Sequence, residues 1–282
     1  MENVIITNQE KFEQIKAAMK KSGANSLHVL ADFDRTLTKM FVNGKKVWSL
    51  MGVLRETDIL PQEYNINTQE LFNYYQPMEA DPLSAKEEKK KLMDEWWTKA
   101  FSLMIEFGFN KSHLQKIINA KMIAFREQAG DFFNILKHKN IPLVVMSASG
   151  VGEAIKLTFE QNNFLFDNIF IISNSFEWSE QGVAIKPKLP IIHSLNKDET
   201  LVADFPEIFT KVKNRKNVIL LGDNAEDVAM VEGFEYDNLI KIGFLNENVE
   251  ENLELYKQNF DVIITHDGSM EFINELLLEI AN

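Results

Sequence analysis

The stretch HVLADFDRTLT, from His28 to Thr38, decides how the rest of the chain is read. An apolar run meets two carboxylates one residue apart, Asp32 and Asp34, and Thr36 follows. Desolvating a charge is costly, so acids at the mouth of a buried strand need a partner or a task. In an extended backbone alternate side chains face opposite ways, so both acids share one side while Phe33 turns into the core. Alone, acids after a strand are most often a turn or a helix cap, and the surrounding pattern has to decide.

That pattern repeats along the chain. IPLVVMS is an apolar run that closes at Ser147, and NVILLGD closes at Gly222 and Asp223, with Asp227 four residues on. NIFIISN, LIKIGF and DVIIT are further apolar runs. Helical spacing fills the gaps: 8–22 with Asn8 as cap and Gly23 as stop, then 131–138, 152–162, 225–232, 247–258 and the C-terminus. FEWSEQGVAI reads as a hairpin turning near Gly182. Continuous apolar strands alternating with helices predict an α/β fold, a parallel sheet covered by helices on both faces. From Trp48 to Gln128 the pattern is helical almost throughout. Ser84 with Glu87 predicts a capping box, and NKSHLQKIINAKMIAFREQ (110–128) predicts one more helix. An insert this long is expected to be a helical cap domain, residues 48–128, set into a core of residues 1–47 and 129–282.

Composition narrows the function. Hydrophobic residues make up 45% of the 282, enough for a sizeable core. The net charge of -12 leaves no basic surplus to displace counterions from a nucleic acid polymer. With no cysteine there is no disulfide, thiolate metal site or cysteine nucleophile, which favours an intracellular setting. The N-terminus carries no signal-peptide pattern and no apolar run is long enough to span a bilayer, so the expectation is a cytoplasmic protein without a membrane partner. The five histidines show no metal spacing.

In an open parallel sheet, ligands bind outside the carboxyl ends of the strands. Asp32 and Asp34, Ser147, and Asp223 with Asp227 all end strands at that one edge. Carboxylates gathered there repel unless a cation joins them, and hard oxygen donors suit magnesium. A carboxylate beside magnesium can attack phosphorus, and a second can protonate the leaving oxygen and then deprotonate water.

At this point a resemblance is plain. DFDRTLT resembles motif I of the haloacid dehalogenase (HAD) superfamily, D-x-D-x-T. LVVMS is similar to motif II, and LLGDNAED to motif IV, G-D-x-x-x-D. YYQPMEADPLSAKEEKKKLMDEWW, IIHSLNKDE and LIKIGFLNENVEENLELYKQNFDVII resemble segments of the cytosolic pyrimidine 5'-nucleotidase family, over most of the chain from about residue 25. The resemblance implies a HAD-like Rossmannoid core and a magnesium-dependent phosphatase acting on nucleoside 5'-monophosphates, pyrimidine ones first, through an aspartyl-phosphate. It also admits transfer of the phosphoryl group to a nucleoside.

By this resemblance Asp32 is the nucleophile and Asp34 the general acid and base. Magnesium would be held by Asp32, the Asp34 backbone carbonyl and Asp223, with Asp227 supporting the site. Ser147 and Ala148 would contact phosphate, Lys197 would neutralise phosphoryl charge, and Glu79 would reach the nucleoside. The rival substrates are phosphoserine or a sugar phosphate, and the rival class is a non-catalytic binder of a phosphate ligand. Three departures stand out. SASGVGE carries one residue more than the family pattern, so Ser149 competes with Ser147. Ala100 stands where the family often has Ser. Arg35 stands where an uncharged residue is usual. Trp96 and Trp97, adjacent on one helix, are expected to send at most one ring to a ligand.

Overall fold

The computed structural model describes residues 3–81, 84–120, 122–197, 205–232 and 235–281. In chain order the elements are β1 (Val4–Ile6), α1 (Gln9–Ser22), β2 (Leu27–Ala31), β3 (Phe41–Val42), β4 (Lys45–Lys46), α2 (Leu50–Glu56) and α3 (Gln62–Ala80). Next come α4 (Lys86–Glu106), α5 (Lys111–Asn119), α6 (Ala129–His138), β5 (Leu143–Ser147), α7 (Glu153–Gln161) and β6 (Ile169–Ser173). The chain continues through β7 (Phe176–Trp178), β8 (Ala184–Pro187), α8 (Pro206–Val212) and β9 (Asn217–Gly222), then a 3-10 helix, Ala225–Val231. It ends with β10 (Asn238–Leu245), α9 (Val249–Asn259), β11 (Val262–Thr265) and α10 (Glu271–Ala281).

Seven strands form one sheet in the order β1-β11-β10-β9-β2-β5-β6, parallel except for β1, which runs antiparallel to β11. Alternation along each strand feeds two cores. Val29, Leu143, Val145, Ile219 and Leu221 face α1, α6, α7 and α10. Leu30, Val144, Met146, Val218 and Leu220 face α8, the 3-10 helix and α9. With both faces covered, the strands have to be apolar throughout, which is why the sequence shows runs and not alternation. The α/β expectation, a parallel sheet covered by helices on both faces, therefore holds for every strand but β1.

The chain enters α1 as the sequence suggests: the Asn8 side chain accepts from the Lys11 amide, and Gly23, at φ 69, donates its N–H to Met19 O. Other local signals did not. Ser84 does not cap α4; its hydroxyl donates to Asp81 Oδ2 at 2.6 Å, and the helix starts at Lys86 without a side-chain cap. The predicted helix 110–128 stops at Asn119, with Lys121 outside the described residues. Beyond it Lys39 N donates to Ala124 O at 2.8 Å and Arg126 N to Leu37 O at 3.0 Å, so this segment pairs with the turn after β2. Tertiary partners outbid helix propensity there: Phe125 enters an aromatic cluster with Phe33, Phe133, Phe159 and Phe164. The short β1 and the hairpin β3–β4 left no readable sequence signal.

Arg126 fastens that turn. It is 2% exposed and stacks 3.8 Å from the centre of the Phe244 ring. Its Nε donates to Thr36 O at 2.6 Å, Nη1 to Asp267 Oδ1 at 3.1 Å and Gly268 O at 2.9 Å, and Nη2 to Asn246 Oδ1 at 2.7 Å and to Arg35 O. One guanidinium thus satisfies three carbonyls that no strand or helix serves, in the planar fork geometry a lysine lacks. Removing it leaves the carbonyls of Thr36 and Gly268 without that donor and takes the cation from Asp267, whose carboxylate keeps the Met40 and Phe41 amides. Arg126→Met and Arg126→Lys are both expected to lower unfolding stability by about 3–5 kcal/mol, read from urea denaturation. A loss below about 1 kcal/mol in either would show that the knot does not hold the turn.

Candidate active site

Because β2, β5 and β9 are parallel and paired in register, Ala31 beside Val145 and Leu221, their carboxyl ends open at one edge. The backbone leaves the ladder at Asp32, whose N–H still donates to Leu221 O at 3.1 Å. Phe33 is fully buried, as the alternation predicts, and the two acids turn outward. They line a cavity of about 580 Å³ with Ser147, Ala148, Ser149, Lys197, Asp223 and Asp227.

Carboxylate oxygens of Asp32, Asp223 and Asp227 all lie within 4.8 Å of one another. Lys197 Nζ sits among them, 2.7 Å from Asp32 Oδ1 and 2.7 Å from Asp227 Oδ1. Asp227 Oδ2 in turn accepts from the amides of Asp223 and Asn224, both at 3.1 Å. Only glycine fits at 222, since a Cβ there would fall 2.5 Å from Asp227 Cβ. The Asp34 carboxylate stands apart from this cluster: Oδ1 accepts from the Leu50 amide at 3.0 Å, tying the site to the start of α2.

Burial sets the electrostatics. It pushes the Asp32 carboxyl up to about 7, with Lys197 pulling the other way, and the Asp34 carboxyl up to about 6 against the Leu50 hydrogen bond and the Arg35 charge. Asp223 is raised well above the carboxylate range by burial and by the charges of Asp227 and Asp32. Burial alone would lower Lys197, but the Asp227 and Asp32 carboxylates outweigh it and hold the ammonium charged. One ammonium cannot offset three carboxylates. A hard divalent cation fits the all-oxygen donor set of Asp32, Asp223 and Asp227.

Two loops shape the rest. Ser147 Oγ accepts from the Ser149 amide at 3.1 Å, while the buried Ser149 hydroxyl has no partner among the described residues. Asn174, just past β6, is a residue the sequence reading passed over. It is 2% exposed; its Nδ2 donates to Ala148 O, Ser149 O and Ile192 O, and its Oδ1 accepts from Ile192 N at 2.8 Å. It therefore joins the serine loop to the loop that carries Lys197. A polar residue closing an apolar run was the available signal, as it was for Ser147.

Across the cavity stand helices α3 and α4. The Glu79 carboxylate accepts from Ser194 Oγ at 2.5 Å and is raised by burial. Phe72, Trp96 and Trp97 supply an aromatic wall. Both tryptophans line the cavity. Trp96 also stacks on Tyr75, at 5.7 Å and 12°. His193 is buried; its Nε2 lies 3.1 Å from Asp94 Oδ1 and its Nδ1 accepts from Leu195 N, so it holds the lysine loop against α4.

Comparison with known proteins follows from this geometry. The pyrimidine 5'-nucleotidase (UMPH-1) family matches residues 35–281. A human protein named 7-methylguanosine phosphate-specific 5'-nucleotidase is 34% identical over 278 residues, covering 98% of this chain and 92% of its own. The rat protein of that name is 33% identical with the same coverage. The crystal structure of cytosolic 5'-nucleotidase IIIB bound to cytidine superposes with a TM-score of 0.88 at 30% identity, over 99% of this chain and 93% of that one. A substrate-bound phosphoserine phosphatase, at 17% identity and TM-score 0.54, covers 88% of this chain and 96% of its own; it shares the HAD fold.

Raised carboxyl pKa values make stability depend on pH in a definite direction. The folded protein keeps protons that the unfolded chain releases, so stability is full below the ordinary carboxylate range and falls as pH rises through about 6 and then about 7. Chelator-treated protein is expected to melt at progressively lower temperature over that window. Millimolar magnesium should restore much of the loss at pH 8, and Asp223→Asn should flatten the dependence. A melting temperature that rises across the window would contradict the proposed electrostatics.

Proposed function

The chain belongs to the pyrimidine 5'-nucleotidase family and is a phosphoric monoester hydrolase of HAD fold, and from that premise we propose that it cleaves nucleoside 5'-monophosphates. One observation carries the reading: a single cavity joins the carboxylate and lysine cluster to a wall of Phe72, Trp96 and Trp97. The first end suits a phosphate ester, the second a base, since aromatic faces stack on nucleobases. Pyrimidine nucleotides fit this description, and so does 7-methylguanosine monophosphate, whose cationic base gains from the tryptophan faces and the buried Glu79 carboxylate.

Asp32 is the proposed nucleophile. Its carboxylate attacks phosphorus, the bond to the nucleoside 5'-oxygen breaks, and Asp34 gives that oxygen its proton. Asp34 then takes a proton from water, the water oxygen attacks the phosphoryl group, and the bond to Asp32 breaks to release phosphate. A carboxyl raised to about 6 suits the acid and base role near neutral pH. Its Oδ1 is anchored on the Leu50 amide, which leaves Oδ2 for the transfer. Lys197 spreads positive charge over Asp32 and the incoming phosphoryl oxygens, the kind of preorganised stabilisation phosphoryl transfer depends on. Ser147, Ala148 and Ser149 are the proposed phosphate contacts, with the unpartnered Ser149 hydroxyl supporting a share for both serines. Asp32, Asp223 and Asp227, with the Asp34 carbonyl, would hold magnesium, which when bound neutralises the carboxylates and the phosphate charge.

The segment from α2 to α5 is the proposed cap. Gly150 supports this: a Cβ there would lie 2.8 Å from Trp97 and 2.9 Å from Met51 Sδ, so the insert comes down directly on the phosphate loop. Such a cap excludes water and selects the nucleoside. No helix among the described residues is long and apolar enough to cross a membrane, and a Caenorhabditis elegans relative, 29% identical, is named putative cytosolic 5'-nucleotidase 3. A cytoplasmic enzyme with a small-molecule partner is the matching proposal.

The test is phosphate release from CMP, UMP, 7-methyl-GMP, AMP, GMP and phosphoserine, with magnesium and with chelator. Magnesium-dependent release is expected from the pyrimidine and 7-methylated nucleotides, with Asp32→Asn lowering kcat by at least about a thousandfold. Release from phosphoserine alone would remove the nucleotide assignment and keep the chemistry.

A further inference from the structure

We propose that Arg35 binds inorganic phosphate in the neck between the active-site cavity and a second cavity beside Asp223. The proposal depends on the preceding reading only in naming that phosphate a reaction product.

The first observation is conformational. Arg35 has φ 63, the left-handed region that favours glycine. The strain is held by the backbone alone: its N–H donates to Thr38 Oγ1 at 2.9 Å, and its carbonyl accepts from Asn246 Nδ2 at 3.0 Å and from Arg126. Glycine would meet every one of these demands without strain. A long cationic side chain at such a position points to a use for the side chain itself.

The second observation concerns pairing. Every other basic residue lining the active-site cavity has a carboxylate: Lys197 has Asp32 and Asp227, Lys46 has Glu247, and Arg55 has Glu56. Among the described residues, the Arg35 guanidinium makes no hydrogen bond or ion pair, and its Nε is buried without a partner. It nonetheless lines the same cavity as Asp34 and Asp223 without closing on either carboxylate. A guanidinium held short of its carboxylates keeps its planar donors for an incoming anion, and phosphate matches their geometry.

The third observation is location. Arg35, Asp223 and Asn224 line both the active-site cavity and a second one of about 280 Å³. The second is bordered by the amide residues Asn246, Asn248 and Asn252 and by Glu247, whose carboxylate is paired with Lys46.

Titration calorimetry with inorganic phosphate, in the presence and absence of magnesium, tests the site directly. Cytidine binding serves as the control for the rest of the pocket. Arg35→Gly removes the cation and the backbone strain together, so it should fold and melt no lower than the parent; Arg35→Met keeps the bulk. Both are expected to weaken phosphate binding by about tenfold or more while cytidine affinity moves less than about twofold, and Arg35→Lys should fall between. In steady-state assays the inhibition constant for phosphate should rise in step. Phosphate affinity unchanged in Arg35→Gly would overturn the proposal, as would parallel loss of phosphate and cytidine binding, which marks a merely structural role. Failure of the parent to bind phosphate would overturn it too. The two readings separate cleanly: phosphate held through Arg35 by a chain that cleaves no nucleotide upholds the site and removes the function.

Discussion

Three carboxylates within 4.8 Å of one another, those of Asp32 and Asp227 buried and that of Asp223 partly so, with a single ammonium between them, are the constraint this molecule is built around. Left to themselves such groups would repel, draw in water, or take up protons. The sheet prevents the first two. Asp32 and Asp223 extend rigid, fully buried strands, and Asp227 is locked by two backbone amides and by its contact with Gly222. What remains is a demand for positive charge, met in part by Lys197. The same demand suits the divalent cation and phosphate ester of the proposed function.

Holding those acids needs support well outside the cluster. The turn after β2 carries both acids of the first motif, and its carbonyls have no secondary structure to serve them. Arg126 supplies that service from the far end of the inserted segment, while Asp267 accepts from the amides of Met40 and Phe41 at 2.9 Å each. On the other side Asn174 ties the serine loop to the lysine loop. Two buried polar residues with nearly saturated hydrogen bonding thus fix the relative positions of loops that come from distant parts of the chain. Buried polar groups this well partnered specify one arrangement more than they add net stability.

The lysine loop also links the inserted helices to the chemistry. Within five residues, His193 meets Asp94, Ser194 meets Glu79, Leu195 packs with Tyr75 and Met93, and Lys197 reaches Asp32. A displacement of α3 or α4 would therefore be transmitted to Asp32. Asp34 adds a second link through the Leu50 amide at the start of α2. The aromatic wall and the carboxylate cluster are thus joined through short, direct contacts.

Read alone, the sequence was enough for the six parallel strands of the sheet and for Asp32, Asp34, Ser147, Asp223 and Asp227, which the fold gathers around one cavity. These were legible because burial on two faces forces unbroken apolar runs, and a charged residue closing such a run has few structural excuses. Lys197 and Glu79 were legible only through family resemblance, since a lone lysine or glutamate carries no pattern. Tertiary structure alone decided the rest. It ended α5 at Asn119 so that Phe125 and Arg126 could join the first turn, gave Ser84 to Asp81 instead of a helix cap, and turned both tryptophans to one cavity. It also left the Arg35 guanidinium without a carboxylate. Each of these depends on groups far apart in sequence meeting in space, and local propensity, worth a few tenths of a kcal/mol per residue, is too weak to resist them.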